Sequence, residues 1–228
     1  MGSSIERFFS ITAQAATLTN NDFSNRLNGW SVNGDGDSDV IVNSLDEAVL
    51  GDNNAITSEL YQGALLVKGN TYVLDFDFSN KLSSFVPSDP SAFFDTYFAS
   101  LYFIDDINLF NPFDPLDPNS FDDVISLFDM DALSLLNVVS GGVVSDSSKG
   151  TDWQHFSLSF VNNFNNVIPF FELWDFNYVN NDSQVLMDNI QIKAQQVPEP
   201  SAFVLLALGL LLLQWSKKKE MTVLTEDI

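Results

Sequence analysis

The sequence predicts an all-β fold, an antiparallel β-sandwich, followed by a single C-terminal transmembrane helix. Three observations carry that reading. Several short runs alternate apolar and polar residues with a period of two and are bounded by turn residues, the pattern of half-buried strands. The middle of the chain is interrupted by prolines. Near the end, residues 202–213 are uninterruptedly apolar and abut Lys217, Lys218 and Lys219.

The strands can be taken in order. Tyr72, Leu74, Phe76 and Phe78 share one side of a run whose other side is Val73, Asp75 and Asp77, and Lys68-Gly69-Asn70 supplies a turn just before it. Phe156, Leu158 and Phe160 alternate with Ser157 and Ser159. Residues 170–174 and 185–192 also read as strands, the second closing the body. Between residues 83 and 150 the chain is rich in Pro, Asp and Phe, and Pro112, Pro115 and Pro118 forbid a long helix there. Residues 121–139 have helical lengths of apolar residues without a 3.6-residue period, so a decorated loop with one short helix is expected.

A chain of 228 residues is economically one domain with appendages. The division expected is a truncated signal segment at 1–16, the sandwich at 17–195, a tail with its helix at 196–219 and a cytoplasmic extension at 220–228. An apolar fraction of 45% with 21 Phe argues for a packed body over a solvated, disordered one. Residues 1–200 hold 6 basic against 28 acidic residues, a net of −22, while residues 201–228 hold 3 of each. Such a field repels phosphate backbones and excludes nucleic acid as a natural partner. The absence of cysteine removes disulfides, thiolate zinc sites and cysteine nucleophiles together.

The lysines flanking the apolar run place them in the cytoplasm and the body outside. Twelve residues at about 1.5 Å each span roughly 18 Å, against a hydrocarbon core of about 30 Å, so the anchor is short. Length alone would also fit a buried core helix, but apolar residues on every face beside three lysines favour the membrane. Val197-Pro198-Glu199-Pro200-Ser201, the apolar run and the basic cluster together resemble the PEP-CTERM sorting signal of bacterial envelope proteins. That resemblance implies an exosortase-type processing enzyme that recognises Pro198, Glu199 and Pro200, cuts nearby, and releases or re-anchors the body at the surface. Residues 220–228 extend beyond the basic cluster. At the other end, Ala13-Gln14-Ala15 fits the small-x-small cleavage pattern of a secretory signal, with only Phe8, Phe9 and Ile11 as its apolar part; an ordinary N-terminus is the alternative.

The body carries a second resemblance. Residues 18–23, Leu27-Asn28-Gly29-Trp30, residues 72–78, Asp152-Trp153-Gln154-His155-Phe156 and residues 186–190 are similar to jelly-roll carbohydrate-binding modules with a galactose-binding-like fold. The resemblance implies a structural calcium shared by the opening and closing strands, with Asp22 and Asp188 at the matching places. Ser24 stands where an acidic residue commonly follows the opening Phe.

Asp35, Asp37 and Asp39 alternate in a Gly-containing segment, the arrangement in which hard oxygen ligands converge on calcium. An EF-hand is excluded by Val40 in the glycine's place and Asp46 in the reaching glutamate's; a looser calcium loop or a solvated turn remains. Asp122, Asp123, Asp129 and Asp131 form another acidic cluster with the same two readings. Trp30, Trp153 and Trp174 would offer stacking platforms to pyranose rings, or fill the core. His155 is the single histidine, and no Gly-x-Ser-x-Gly elbow accompanies it. Carboxylates are too many for sequence to single out a glycosidase pair. The expected role is non-enzymatic: an exported envelope or matrix protein that binds extracellular polysaccharide. A surface glycoside hydrolase and a calcium-dependent adhesive protein are the alternatives.

Overall fold

The computed structural model describes residues 18–34, 40–51, 56–82, 94–111, 121–131, 136–176 and 183–195. The N-terminal segment, the loop with Asp35, Asp37 and Asp39, and everything from residue 196 lie outside the described residues. With the tail go Pro198, Glu199, Pro200, Lys217, Lys218, Lys219 and the expected membrane helix. Among the described residues no helix is long and apolar enough to cross a membrane.

In chain order the strands are β1 (Ser31–Gly34), β2 (Val40–Val42), β3 (Ala48–Leu50), β4 (Thr57–Tyr61), β5 (Ala64–Leu65) and β6 (Thr71–Lys81). They continue with β7 (Thr96–Ile104), β8 (Asp123–Asp131), β9 (Leu136–Val138), β10 (Val143–Asp146), β11 (Gln154–Val161), β12 (Asn166–Trp174) and β13 (Gln184–Ala194). A single 3-10 turn, Ile107–Leu109, is the one helical element among the described residues. All pairings are antiparallel. One sheet has seven strands, ordered β1-β4-β12-β7-β8-β9 with β5 beside β12; the other has six, ordered β10-β11-β6-β13-β3-β2. The expected two-sheet sandwich is therefore the fold of the body.

Period two sets which faces meet. Tyr72, Leu74, Phe76 and Phe78 of β6 are fully buried, as are Tyr97, Ala99 and Leu101 of β7 and Phe171 and Leu173 of β12. Phe76 stacks on Phe156 at 5.0 Å between ring centres and meets Phe171 edge-on at 5.0 Å, so rings from both sheets interlock between the layers. Each fully buried Phe contributes about 1.5–3 kcal/mol, and offset or edge-on ring contact adds to that. At Gly51, φ is +84° and a Cβ would lie 2.1 Å from the Ser183 carbonyl oxygen, so the chain passes β13 there only because the side chain is absent.

Two expectations are corrected. The stretch 83–150, read as a loop with a short helix, contains β7, β8, β9 and β10. A bulge in β8, where the register shifts opposite Ala99 and Ser100, turns both Leu127 and Phe128 into the core. The extra residue breaks the two-residue period, which is why the run resembled neither strand nor amphipathic helix. The opening stretch from Leu18 to Trp30 forms turns in place of a strand. It is fastened by the Ile190 N–H, which donates to the Asn21 carbonyl at 3.0 Å, and by Phe23, fully buried at a φ of +52°.

Candidate functional site

Since the inner faces are filled with aliphatic and aromatic groups, chemistry must come from the outer faces. On the seven-stranded sheet, Thr57, Glu59 and Tyr61 point away from the core, because Leu60 between them is wholly buried. On β12 the same parity sends Ile168, Phe170, Glu172 and Trp174 outward. Registration then builds one row across five neighbouring pairs of strands: Asn33 opposite Glu59, Glu59 opposite Glu172, Glu172 opposite Phe98, Phe98 opposite Asp129 and Asp129 opposite Asn137.

This row divides the face. On one side Tyr102, Ile104, Ile168 and Phe170 form a small second core, covered by Tyr61, Phe110 and Phe121. Tyr61 stacks on Phe170 at 5.6 Å, and Tyr102 meets Phe121 edge-on at 5.1 Å. Within the row Phe98 is 37% exposed, and on the other side Trp174 is half-buried against Phe176 with ring centres 5.6 Å apart.

The carboxylates beside those rings are poorly solvated. Burial pushes Glu172 up to about 7, opposed by a hydrogen bond from the Trp174 side chain and reinforced by repulsion from Glu59. Burial also raises Glu59, whose Oε2 accepts from Asn33 Nδ2 at 2.7 Å. Tyr102 is pushed up to about 12 by burial, with Glu172 and Glu59 adding to the effect. Partly desolvated acceptors flanked by accessible ring faces can hydrogen-bond hydroxyl groups while the rings cover apolar C–H surfaces.

The six-stranded sheet carries a different cluster. Asp77 on β6 stands between His155 on β11 and Asp188 on β13. Its Oδ1 accepts from Ser147 Oγ at 2.9 Å and contacts His155 Nδ1 at 2.9 Å, while its Oδ2 accepts from Asn189 Nδ2 at 2.9 Å. Ser147 thus donates to the carboxylate and not to the imidazole, so the three do not form a Ser-His-Asp relay. Asn189 reaches Asp77 because a bulge in β13 places it at a φ of +54°, turning consecutive side chains outward.

Lys149 closes this cluster. Its Nζ pairs with Asp188 and lies 3.0 Å from Glu47 Oε1, both buried, and sits 4.4 Å above the Trp153 ring. Burial works against the ammonium, but the two carboxylates outweigh it and hold Lys149 above its ordinary value. Asp188 moves up because burial outweighs the hydrogen bond from Lys149. Lys149 therefore supplies the positive charge at Asp188.

The sites expected from sequence are scattered over these features. Trp30 is a core residue, its ring tilted against Phe23 at 5.3 Å and its indole N–H donating to the Asn20 carbonyl. Trp153 belongs to the Lys149 cluster, and of the three candidates only Trp174 joins the carboxylate row. Asp22 is exposed and held below the ordinary carboxylate range by hydrogen bonds from the Ser24 hydroxyl and N–H. Asp22 and Asp188 are engaged with separate partners, and among the described residues no three acidic or histidine side chains are grouped to hold a metal. Sequence reasoning missed Glu59, Glu172 and Lys149. Parity along residues 168–174 was available as a signal for Glu172, but its partner strand was not.

Comparison with known proteins adds the tail. A family model described as the PEP-CTERM protein-sorting motif matches residues 196–219. The chain carries a PEP-CTERM sorting signal. That motif marks an exported, envelope-associated protein. No curated protein sequence matches the chain.

Solved structures similar to the body of this PEP-CTERM protein include a family 4 carbohydrate-binding module, 13% identical with a TM-score of 0.45, over 78% of this chain and 99% of that one. Another is the family 61 module TmCBM61, in complex with β-1,4-galactotriose: 10% identical, TM-score 0.45, over 80% of this chain and 100% of that one. A third is the enzymatically active domain of tailspike protein 4 of bacteriophage CBA120, 12% identical with a TM-score of 0.47. The match covers 79% of this chain and spans 21% of the tailspike chain.

Proposed function

We propose that this is a non-enzymatic, exported carbohydrate-binding protein of the bacterial envelope, holding extracellular polysaccharide on the outer face of its seven-stranded sheet. The observation that carries the proposal is the row joining Glu59, Glu172 and Phe98, with Trp174 beside it. The rings offer stacking surface, and the carboxylates, poorly hydrated already, lose little water when a sugar hydroxyl donates to them. A net charge of −22 favours neutral or cationic glycans over acidic ones. The tail is proposed to act as a processed address: an exosortase-type enzyme reads Pro198, Glu199 and Pro200, and residues 202–213 form a transmembrane helix with Lys217, Lys218 and Lys219 on the cytoplasmic side. The body then stays displayed or is released to the matrix. Calcium binding, by Asp35, Asp37 and Asp39 or by Asp22 and Asp188, belongs to the same proposal.

Affinity electrophoresis against a panel of soluble neutral polysaccharides tests the binding. At least one should retard the protein, and Trp174→Ala should abolish the retardation while leaving the unfolding transition in place. No retardation by any glycan, or equal retardation of Trp174→Ala, would remove the proposal. A second reading, a surface glycoside hydrolase, draws on the cross-strand placement of Glu59 and Glu172, since glycosidases use two flanking carboxylates. Release of reducing ends from a bound glycan, lost in Glu172→Gln, would favour it.

A further inference from the structure

The turn between β10 and β11 folds over the outer face of the six-stranded sheet and delivers an amine to a carboxyl. Ser147 fixes the turn: its Oγ donates to Asp77 and accepts from the Lys149 N–H at 3.2 Å, and its own N–H donates to the Trp153 carbonyl at 3.1 Å. Lys149 Nζ is thereby set against Asp188 Oδ2. The other oxygen of Asp188, Oδ1, accepts from the Asn189 N–H at 2.7 Å. Met187 of β13 lies opposite Ala48 of β3, so Glu47, one residue before Ala48, reaches the same spot, with Oε1 3.0 Å from Lys149 Nζ. Asn43 holds the second oxygen of Glu47, its Nδ2 donating to Oε2 at 2.8 Å. Glu47 and Asp188 are 4% and 8% exposed and the Trp153 ring covers Nζ, so little water reaches the three groups.

An amine and two carboxyls held together out of water can do more than pair. Burial disfavours both charges, which lowers the cost of moving a proton from the ammonium to a carboxylate. Fixed contact supplies an effective concentration that the same groups lack when free in solution. The Asn189 N–H points at the oxygen on which negative charge develops when an amine attacks Asp188 Cγ, as in an oxyanion hole.

The geometry points to an intramolecular amide bond between Lys149 Nζ and Asp188 Cγ, formed by the folded protein itself with Glu47 as proton carrier. Of the three ammonium protons, one passes directly to Asp188 Oδ2 and a second reaches the same oxygen through Glu47. The Nζ–Cγ bond forms, the Cγ–Oδ2 bond breaks, and that oxygen leaves as water with both protons. The third proton stays on the amide nitrogen, and Glu47 ends ionised as it began. The ion pair between Lys149 and Asp188 is the reactant state. The bond ties the β10–β11 turn across β6 to β13, a covalent closure in a chain that has no cysteine for disulfides. It lies on the other sheet from the Glu59–Glu172 row, does not depend on glycan binding, and leaves calcium to Asp35, Asp37 and Asp39.

Mass spectrometry of the denatured full chain, with peptide mapping, tests this. Lys149→Arg keeps the charge but cannot form the bond. Relative to that variant, corrected for the substitution, the parent should be lighter by one water molecule. Trypsin should leave Lys149 uncut, within a branched peptide joined to Asp188. Asp188→Ala should keep its water, and Glu47→Gln should stay unreacted while still unfolding cooperatively. Equal corrected masses for the parent and Lys149→Arg after prolonged incubation in the folded state overturn the inference, as does a water loss that mapping places away from Lys149 and Asp188. Reaction of Glu47→Gln at the parent's rate removes Glu47 from the step.

Discussion

Glu59 and Glu172 lie directly opposite each other on adjacent antiparallel strands, with Asn33 hydrogen-bonded to the first and Trp174 to the second. Directly opposed residues have Cβ atoms about 4.5–5.5 Å apart, and like charges so placed repel.

The pair makes stability depend on pH with a defined sign. A carboxyl whose folded value is raised binds more protons folded than unfolded, so stability falls as pH rises from its ordinary value through the raised one. For Glu172, that window runs from 4.5 to about 7. At face value the cost above the window is about 3 kcal/mol, and solvent screening of a half-buried group reduces it to about 1–2 kcal/mol. Glu172→Gln should therefore be more stable than the parent by about 1–2 kcal/mol at pH 8 and about equal at pH 4.5, read by urea unfolding at both values. A constant difference across pH would contradict this.

Removing Lys149 has the opposite character. It leaves Glu47 and Asp188 buried without their cation. Breaking one partner from a buried ionic cluster costs about 3–5 kcal/mol, and partial exposure of the lysine brings the expected loss for Lys149→Met to about 2–4 kcal/mol. Chemical denaturation measures it. A loss under about 1 kcal/mol, the level of a surface ion pair, would show that the cluster is not electrostatically coupled.

Asn189 separates backbone from side-chain effects. Its φ of +54° costs a β-carbon-bearing residue about 1 kcal/mol or more, and its amide holds Asp77. Asn189→Gly relieves the backbone and loses the hydrogen bond, for an expected cost of about 1 kcal/mol. Asn189→Ala loses the bond and keeps the strain, for about 2 kcal/mol. Equal costs in thermal unfolding would mean that the bulge relaxes.

Local periodicity made the sheet-forming runs legible. Tyr72 to Phe78, Phe156 to Phe160 and the closing strand announced their buried faces because alternate residues differ sharply in polarity. Leu127 and Phe128 were illegible because a bulge removes the alternation it interrupts. The tail was read from contiguous residues, and the family match covers the same segment. The carboxylate row was not readable, since Glu59 and Glu172 are separated by more than a hundred residues and meet only through strand order. Trp30 and Trp174 look alike in sequence. One is sealed by Phe23 and Asn20, whereas the other has parity with Glu172 on an open face. Charge pairing at Asp188 was hidden for the same reason: Lys149 arrives from the β10–β11 turn.

Indole N–H resonances test the sugar-binding face most directly. Trp30, Trp153 and Trp174 report on the core, the Lys149 cluster and the carboxylate row respectively. Titrating a retained polysaccharide into the labelled protein should shift the Trp174 signal and leave those of Trp30 and Trp153 in place. A saturable shift at Trp153 with Trp174 unmoved would put the ligand on the six-stranded sheet and contradict the site proposed.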